Sequence, residues 1–195
     1  MMIRETVHAL LACVVTFVLC AVAYPLVVLG AGNLLFPDQA RGSLIRREGR
    51  VVGSTLIAQP FASEKYFAPR PSAAGPNGYA ADAAGGSNLA TTNPALRERI
   101  EAQVKTLRQS SGVKASEPIP VDLVTTSGSG LDPDISPEAA RYQAARVAAA
   151  RGLPVERIAA LIDAHVETSG AIIGAPPRVN VLRLNLALDD LPQSH

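Results

Sequence analysis

The sequence contains no tryptophan, and aromatic residues make up only 4% of its 195 residues. Single-strand nucleic-acid binders stack bases on aromatic platforms, for which so few aromatics give little support. A strong positive field is missing too: the net charge is +1 and charged residues are only 18%, so nothing draws in a phosphate backbone. Histidine occurs only at His8, His165 and His195, and cysteine only at Cys13 and Cys20. No Cys/His cluster for zinc can therefore form beyond the N-terminal segment, and a Ser–His–Asp arrangement would depend on His165 alone. The two cysteines lie about 10.5 Å apart on a helix, too far for an internal disulfide. The rest of the chain is thiol-free, which suits an oxidising compartment.

Charge is absent from Thr6 to Pro37, and Ala9 to Leu29 is almost continuously apolar. About 20 residues rising ~1.5 Å each cross the ~30 Å hydrocarbon core, so the run reads as a membrane-spanning helix. Ala21-Val22-Ala23 also fits a small-residue cleavage site. Apolar residues continue to Leu29 and again through Leu34-Leu35-Phe36, which reads as a retained single-pass anchor over 1–36, followed by a soluble domain over 37–195. Arg4 precedes the run, whereas Arg41, Arg46, Arg47 and Arg50 follow it. Counted by the positive-inside rule, these arginines place the domain in the cytoplasm, against the lean of the cysteines.

Within the domain, Ser43–Arg46 and Val51–Ala58 read as strands joined by an Arg47-Glu48-Gly49-Arg50 turn. Residues 60–93 are rich in Pro, Gly, Ala, Ser and Asn. A loop of that length is unusual without a function, and Tyr66-Phe67 and Tyr79 predict that it packs. Asn93-Pro94 starts a helix with Leu96, Ile100, Val104 and Leu107 on one face, stopping near Ser110-Ser111-Gly112. Pro120–Thr125 reads as a short strand. Ser136-Pro137-Glu138 caps a helix whose Ala140, Ala144, Val147 and Ala148 face one way until Gly152. Pro154 restarts a helix carrying Ile158, Leu161 and Ile162 to near Gly170, and Pro177–Leu186 reads as a late strand. The expected fold class is α/β (α+β): one N-terminal transmembrane helix, then a small mixed-sheet domain with about three helices.

Val124–Ala140 concentrates hydroxyls, glycines and aspartates ahead of a helix, yet each catalytic reading breaks at a residue. Pro133 stands where a dinucleotide fingerprint has its third glycine, and no Gly-Lys-Ser/Thr follows for a P-loop. Asp132-Pro133-Asp134 imitates a calcium loop, but Pro137 and Gln143 replace its turn glycine and bidentate glutamate. Ala148-x-x-x-Gly152 has helix-turn-helix spacing, but Glu156 and Asp163 outnumber Arg157 on the would-be recognition helix. Gly85-Gly86-Ser87-Asn88 reads either as an anion nest of consecutive N–H groups or as a plain turn. No catalytic residue and no metal site is expected.

Several blocks occur together in order: Tyr24-Pro25-Leu26, Gly42–Ile45, Gly53–Ile57, Tyr66-Phe67-x-x-Arg70-Pro71-Ser72-Ala73, Gly85–Leu89, Thr92-Asn93-Pro94, Val121–Thr125, Ser129–Asp132, Ile135–Pro137, Arg146–Ala148 and Val179–Leu188. This series resembles the C subunit of the Kdp-type potassium-transporting ATPase along nearly the whole chain. The resemblance implies a non-catalytic, single-span accessory subunit of a potassium import pump in the bacterial inner membrane. Its partners would be a channel-like potassium-translocating subunit and a P-type ATPase subunit, with lipid but no nucleic acid. It implies no tightly bound cofactor; potassium is the transported ion, and ATP is met through the ATPase subunit, whose ATP affinity this subunit would raise. Gly85, Gly86, Ser87 and Asn88 correspond to the family's suggested nucleotide contact, with Ala84 and Ala80 where serine and asparagine are expected. An extracytoplasmic domain follows from the resemblance and outweighs the arginine count. Such a domain cannot meet cytoplasmic ATP, so Tyr66, Phe67, Arg70, Ser72, Ser129 and Asp132 become the expected subunit interface at the potassium entrance. The alternative is a stand-alone membrane-anchored hydrolase or nucleotide-binding module.

Overall fold

A computed structural model describes residues 2–110, 112–113, 116–170 and 174–192. The chain divides into two compact units, Met1–Val52 and Gly53–His195.

The first unit is dominated by a helical rod, Met2–Leu35, none of whose residues is buried. It consists of α1 (Met2–Phe17), a π-helical turn (Val18–Ala23) and α2 (Tyr24–Leu35). Pro25 explains the π turn. Proline has no N–H to give to the carbonyl four residues back, and its ring collides with that carbonyl; a wider turn just ahead relieves both. Accordingly the Tyr24 N–H donates to the Leu19 carbonyl, five residues earlier. Pro25 therefore marks an irregularity inside the rod, which continues to Leu35. Thr6 and Asn33 turn their side chains back onto the carbonyls of Met2 and Leu29, both at 2.9 Å.

A short turn, α3 (Pro37–Ala40), leads into the hairpin of β1 (Leu44–Arg47) and β2 (Arg50–Ser54). Its two central residues, Glu48 and Gly49, both have positive φ (50° and 78°), as a two-residue type I′ turn requires. The second strand stops at Ser54, short of the expected Ala58. The Ser54 hydroxyl accepts the Leu56 N–H at 3.1 Å and turns the chain there.

The second unit is built around α5 (Pro137–Arg151). Ser136 caps it, accepting the Ala139 N–H at 3.0 Å, and Gly152 ends it at φ 65°. Its buried face is mostly small: Ala139, Ala140, Ala144, Val147 and Ala148. Against it pack Ile158 and Ile162 of α6 (Val155–Ala164), Leu184 and Leu188 of α7 (Val181–Asp189), and Val179. A three-stranded antiparallel sheet joins β3 (Asp134–Ile135), β5 (Arg178–Asn180) and β4 (Val166–Glu167) in that order, with Val179 opposite both Ile135 and Val166. Helix α4 (Pro94–Ser110) begins as its cap predicts, Asn93 Oδ1 accepting the Ala95 N–H at 3.0 Å. Ser111, part of its expected stop, lies outside the described residues.

Three elements differ from expectation. Pro120–Thr125 holds a 3₁₀ turn, Val121–Leu123, because both the hydroxyl and the N–H of Thr125 fold back onto the Val121 carbonyl. Helix α6 stops at Ala164, where His165 gives its Nδ1 proton to the Leu161 carbonyl at 2.8 Å and the chain enters β4. In the expected late strand only Arg178–Asn180 is extended. Asn180 then caps α7 by accepting the Arg183 N–H at 3.2 Å, adding a fourth helix to this unit.

The Pro/Gly-rich segment packs, although it forms almost no secondary structure of its own. Phe67 is fully buried, and Asn185 of α7 takes both its backbone groups: Oδ1 accepts the Phe67 N–H at 2.8 Å and Nδ2 donates to the Phe67 carbonyl at 2.9 Å. Gln143 of α5 does the same for Ala68, at 2.8 and 3.1 Å. Arg146 donates to the carbonyls of Glu64 and Tyr66, and Arg151 to that of Lys65. These contacts predict that Asn185→Ala costs about 3 kcal/mol, since each unpaired buried backbone group costs about 1–3 kcal/mol. Asn185→Leu should not rescue it, because volume does not replace the bonds. Thermal unfolding of the full chain in detergent checks both.

Candidate functional site

Three stretches far apart in sequence, Arg70–Tyr79, Gly85–Ser87 and Thr125–Asp132, meet in one layer of loops on the second unit. Ser72 is the junction. Its hydroxyl donates to the Gly130 carbonyl at 2.6 Å and accepts the N–H groups of Tyr79 (2.8 Å) and Ala74 (3.1 Å). One donor and two acceptors exhaust a serine hydroxyl. Arg70 reaches the same place, pairing with Asp132 at 3.1 Å and donating to the Thr126 carbonyl at 3.3 Å. The Tyr79 hydroxyl donates to the Arg70 carbonyl at 2.9 Å, and burial pushes its pKa above the usual value.

The glycines serve this meeting of backbones. The Gly85 N–H donates to the Ser129 carbonyl at 2.7 Å. A Cβ on Gly86 would lie 3.0 Å from the Gly128 carbonyl oxygen. At Gly130, where φ is +67°, a Cβ would lie 2.6 Å from the Gly85 carbonyl oxygen. Ser87 approaches Thr126, hydroxyl to hydroxyl, at 3.4 Å. An N–H of the would-be anion nest is thus already given to protein. Asn88 is exposed, with φ 50°.

The sequence-derived interface residues separate into two groups. Arg70, Ser72, Ser129 and Asp132 belong to the loop layer. Of these, Ser129 presents an exposed side chain whose hydroxyl accepts the Leu131 N–H at 3.1 Å. Tyr66 and Phe67 lie instead on α5 and α7. Phe67 is a core residue, whereas the half-buried Tyr66 ring has the Arg151 guanidinium 4.9 Å above it and its hydroxyl 3.1 Å from Asp189. Gln143, Asn185, Arg146 and Arg151, which position this segment, carried no assigned role in the sequence reading. Their signal was a carboxamide or guanidinium embedded in an otherwise apolar helix face.

Beside the layer lies an open groove of about 660 Å³, whose walls include Arg70, Val121, Asp122, Asp132, Pro177 and Arg178. Asp122 is committed to the start of α5, accepting the Ser136 N–H at 2.7 Å. Asp132 Oδ1 accepts the Asp134 N–H at 3.1 Å while Oδ2 faces Arg70, so both oxygens have protein partners. Asp134 meets Arg178 at 3.2 Å and Asn180 at 3.0 Å; Arg178 continues to Glu167 at 3.5 Å, and Glu167 to Arg183 at 2.9 Å. Burial raises the Asp134 pKa above the ordinary carboxylate value, with the Asn180 hydrogen bond and the Arg178 charge opposing it.

Two predictions follow from this geometry. Ser72→Ala removes three bonds at one junction and should cost about 2–3 kcal/mol, measured as thermal destabilisation of the full chain. For Asp134 the folded-state pKa is raised, so its favourable term is complete below the ordinary carboxylate range and is lost as pH rises through the raised value. Asp134→Asn lacks that term. Its stability relative to the parent should therefore climb as pH rises from about 4, read from melting curves across pH.

The loop layer falls within the stretch that a family profile matches. The profile of the KdpC family, described as the c chain of the K⁺-transporting ATPase, matches residues 6–190. A potassium-transporting ATPase KdpC subunit of Myxococcus xanthus is 54% identical over 182 residues, covering 93% of this chain and 85% of that protein. The KdpC subunit of Polaromonas naphthalenivorans is 52% identical, covering 94% and 93%. That of Methylococcus capsulatus is 50% identical, covering 97% of this chain and all of its own length. With residues 6–190 matched and at least half of the aligned residues identical in these relatives, the chain belongs to the KdpC family.

Proposed function

We propose that the chain acts as the membrane-anchored, non-catalytic accessory subunit of an ATP-driven potassium import pump. The carrying observation is the family match over residues 6–190, which takes in both the apolar rod and the loop layer. The chemistry agrees: polar side chains central to the layer, Ser72, Arg70 and Asp132, are engaged in holding loops together. The sequence also contains neither an Asp-Lys-Thr-Gly-Thr phosphorylation motif nor a Thr-Val-Gly-Tyr-Gly filter.

In this reading residues 1–36 anchor the chain once through the bacterial inner membrane, and residues 37–195 form an extracytoplasmic assembly module. Tyr66, Arg70, Ser72, Ser129 and Asp132, with Phe67 as their buried support, build the surface that meets the channel-like subunit near its potassium entrance. Gly85, Gly86, Ser87 and Asn88 shape that surface and touch no nucleotide. An effect on ATP affinity then passes through contact with the P-type subunit.

Thiol labelling tests the proposal, because the domain has no cysteine of its own. In a background with Cys13 and Cys20 changed to serine, Asn77→Cys should react with a membrane-impermeant maleimide in intact spheroplasts. Ser129→Cys should react only when the channel-like subunit is absent. Labelling of position 77 only after permeabilisation overturns the placement. Equal labelling of position 129 with and without that subunit removes this face from the interface. Deleting the chain should abolish growth at limiting potassium in cells that lack other importers, and undiminished growth overturns the pump assignment.

A further inference from the structure

The arginines that follow the rod belong to the first unit and have no part in the proposed interface. Arg41, Arg46, Arg47 and Arg50 fall within ten residues, against Asp38 and Glu48. Arg41, Arg46 and Arg50 are exposed, and they alternate with exposed apolar side chains: Leu44 at 45%, Val51 at 48% and Val52 at 39%. In a hairpin closed by a two-residue turn, Arg46 lies opposite Val51, and alternation puts Leu44 on the same face. That face is therefore apolar with a guanidinium set into it. The end of the rod is apolar as well, since Leu34, Leu35 and Phe36 are exposed at 82%, 66% and 59%.

The hairpin is also held close to the rod. The Phe36 N–H bonds to the Gly32 carbonyl (2.8 Å), the Ala40 N–H to that of Phe36 (2.9 Å), the Gly42 N–H to that of Gln39 (3.0 Å) and the Ser43 N–H to that of Asp38 (2.9 Å). No unbonded linker separates them. The charge-free part of the rod begins at Thr6 and the rod ends at Leu35, a length of about 45 Å, close to the ~40–45 Å of a bilayer with its headgroups. A rod of that length brings its end, and the hairpin tied to it, to headgroup depth. Apolar side chains interleaved with arginine are the composition that settles there: the stems lie along the acyl boundary and the guanidinium forks bind phosphate.

We infer that the β1–β2 hairpin is a lipid-binding collar, in which Arg41 and Arg46 hold the phosphates of anionic phospholipids beside the rod while Leu44 and Val51 enter the interface; Arg50, opposite Arg47, lies on the other face. This requires only that the rod is embedded, on whichever side the domain lies. It also gives the arginines a role independent of the positive-inside rule. Each basic side chain near an anionic surface strengthens association roughly five-fold, and the effect fades with added salt.

The test uses the full chain in nanodiscs of phosphatidylcholine with and without phosphatidylglycerol, reading amide hydrogen exchange over residues 41–52. Exchange there should slow about ten-fold or more with phosphatidylglycerol, and the slowing should disappear in high salt. Arg41→Gln/Arg46→Gln should abolish the lipid dependence, while the double lysine variant should keep most of it, which separates charge from folding. Equal exchange in the two lipids overturns the inference, as does a glutamine variant that responds like the parent. Inorganic phosphate added to phosphatidylcholine discs should leave exchange unchanged; slowing equal to that of the anionic disc would make this a free-anion site and overturn the lipid assignment.

Discussion

Two buried carboxamides hold a segment that has no strand beside it. Gln143 and Asn185 each satisfy both backbone groups of one residue, Ala68 and Phe67, and are themselves 3% and 1% exposed. A sheet would have supplied such bonds from a neighbouring backbone. Here two helices supply them from side chains, so a segment rich in proline, glycine and alanine can cross the core without leaving buried polar groups unpaired. The Phe67 ring is what this secures. It shares one apolar cluster with Val147, Leu184 and Leu188, which joins loop and helices.

Helix α5 carries most of that burden because its two faces differ. Small alanines on the buried face let α6 and the loops come close, while Gln143, Arg146 and Arg151 reach over the 64–68 segment. Desolvation lowers the Arg146 pKa. The carbonyls of Glu64 and Tyr66 and the Gln143 oxygen offset that cost by accepting its protons. Once the segment is pinned, residues 70–79 emerge in a fixed place, and Ser72 and Arg70 can gather the Thr125–Asp132 turn. Gly130 and Gly86 then close the layer, because a Cβ would lie 2.6 Å from the Gly85 carbonyl oxygen at the first and 3.0 Å from that of Gly128 at the second.

The parts of the fold that were legible in the sequence are those fixed by local chemistry. The rod announced itself by the absence of charge, α4 and α5 by Asn93-Pro94 and Ser136-Pro137, and the hairpin by Glu48-Gly49. The elements misread are those where local pattern and tertiary context disagree. Residues 178–186 alternate apolar and polar well enough to resemble a strand, yet the buried set Val181, Leu182, Leu184, Asn185 and Leu188 follows a helix. Asn185 looked like the polar side of that alternation because the partner that makes its burial favourable lies 118 residues away. The loop layer was legible only in pieces. The motifs around Ser72, Gly85 and Ser129 could be marked one by one, but their convergence depends on long-range hydrogen bonds that no spacing rule encodes.

That convergence bears on how such a surface acts. A loop ordered only on binding must lose its conformational freedom at that moment, which weakens association. In the loop layer the ordering is done beforehand, by the Ser72 junction, the Arg70–Asp132 pair and the close glycine backbones. What remains toward solvent includes the Ser129 side chain, the groove and apolar groups such as Val121, 69% exposed. A partner that covers them gains the burial of apolar area and has few internal bonds to break. The side chains of Ser72 and Asp132 are bonded to the protein's own loops, so the layer has a fixed shape before anything meets it. The glycines, the serine and the arginine–aspartate pair that resemble a reactive loop in the sequence are the means by which that shape is kept.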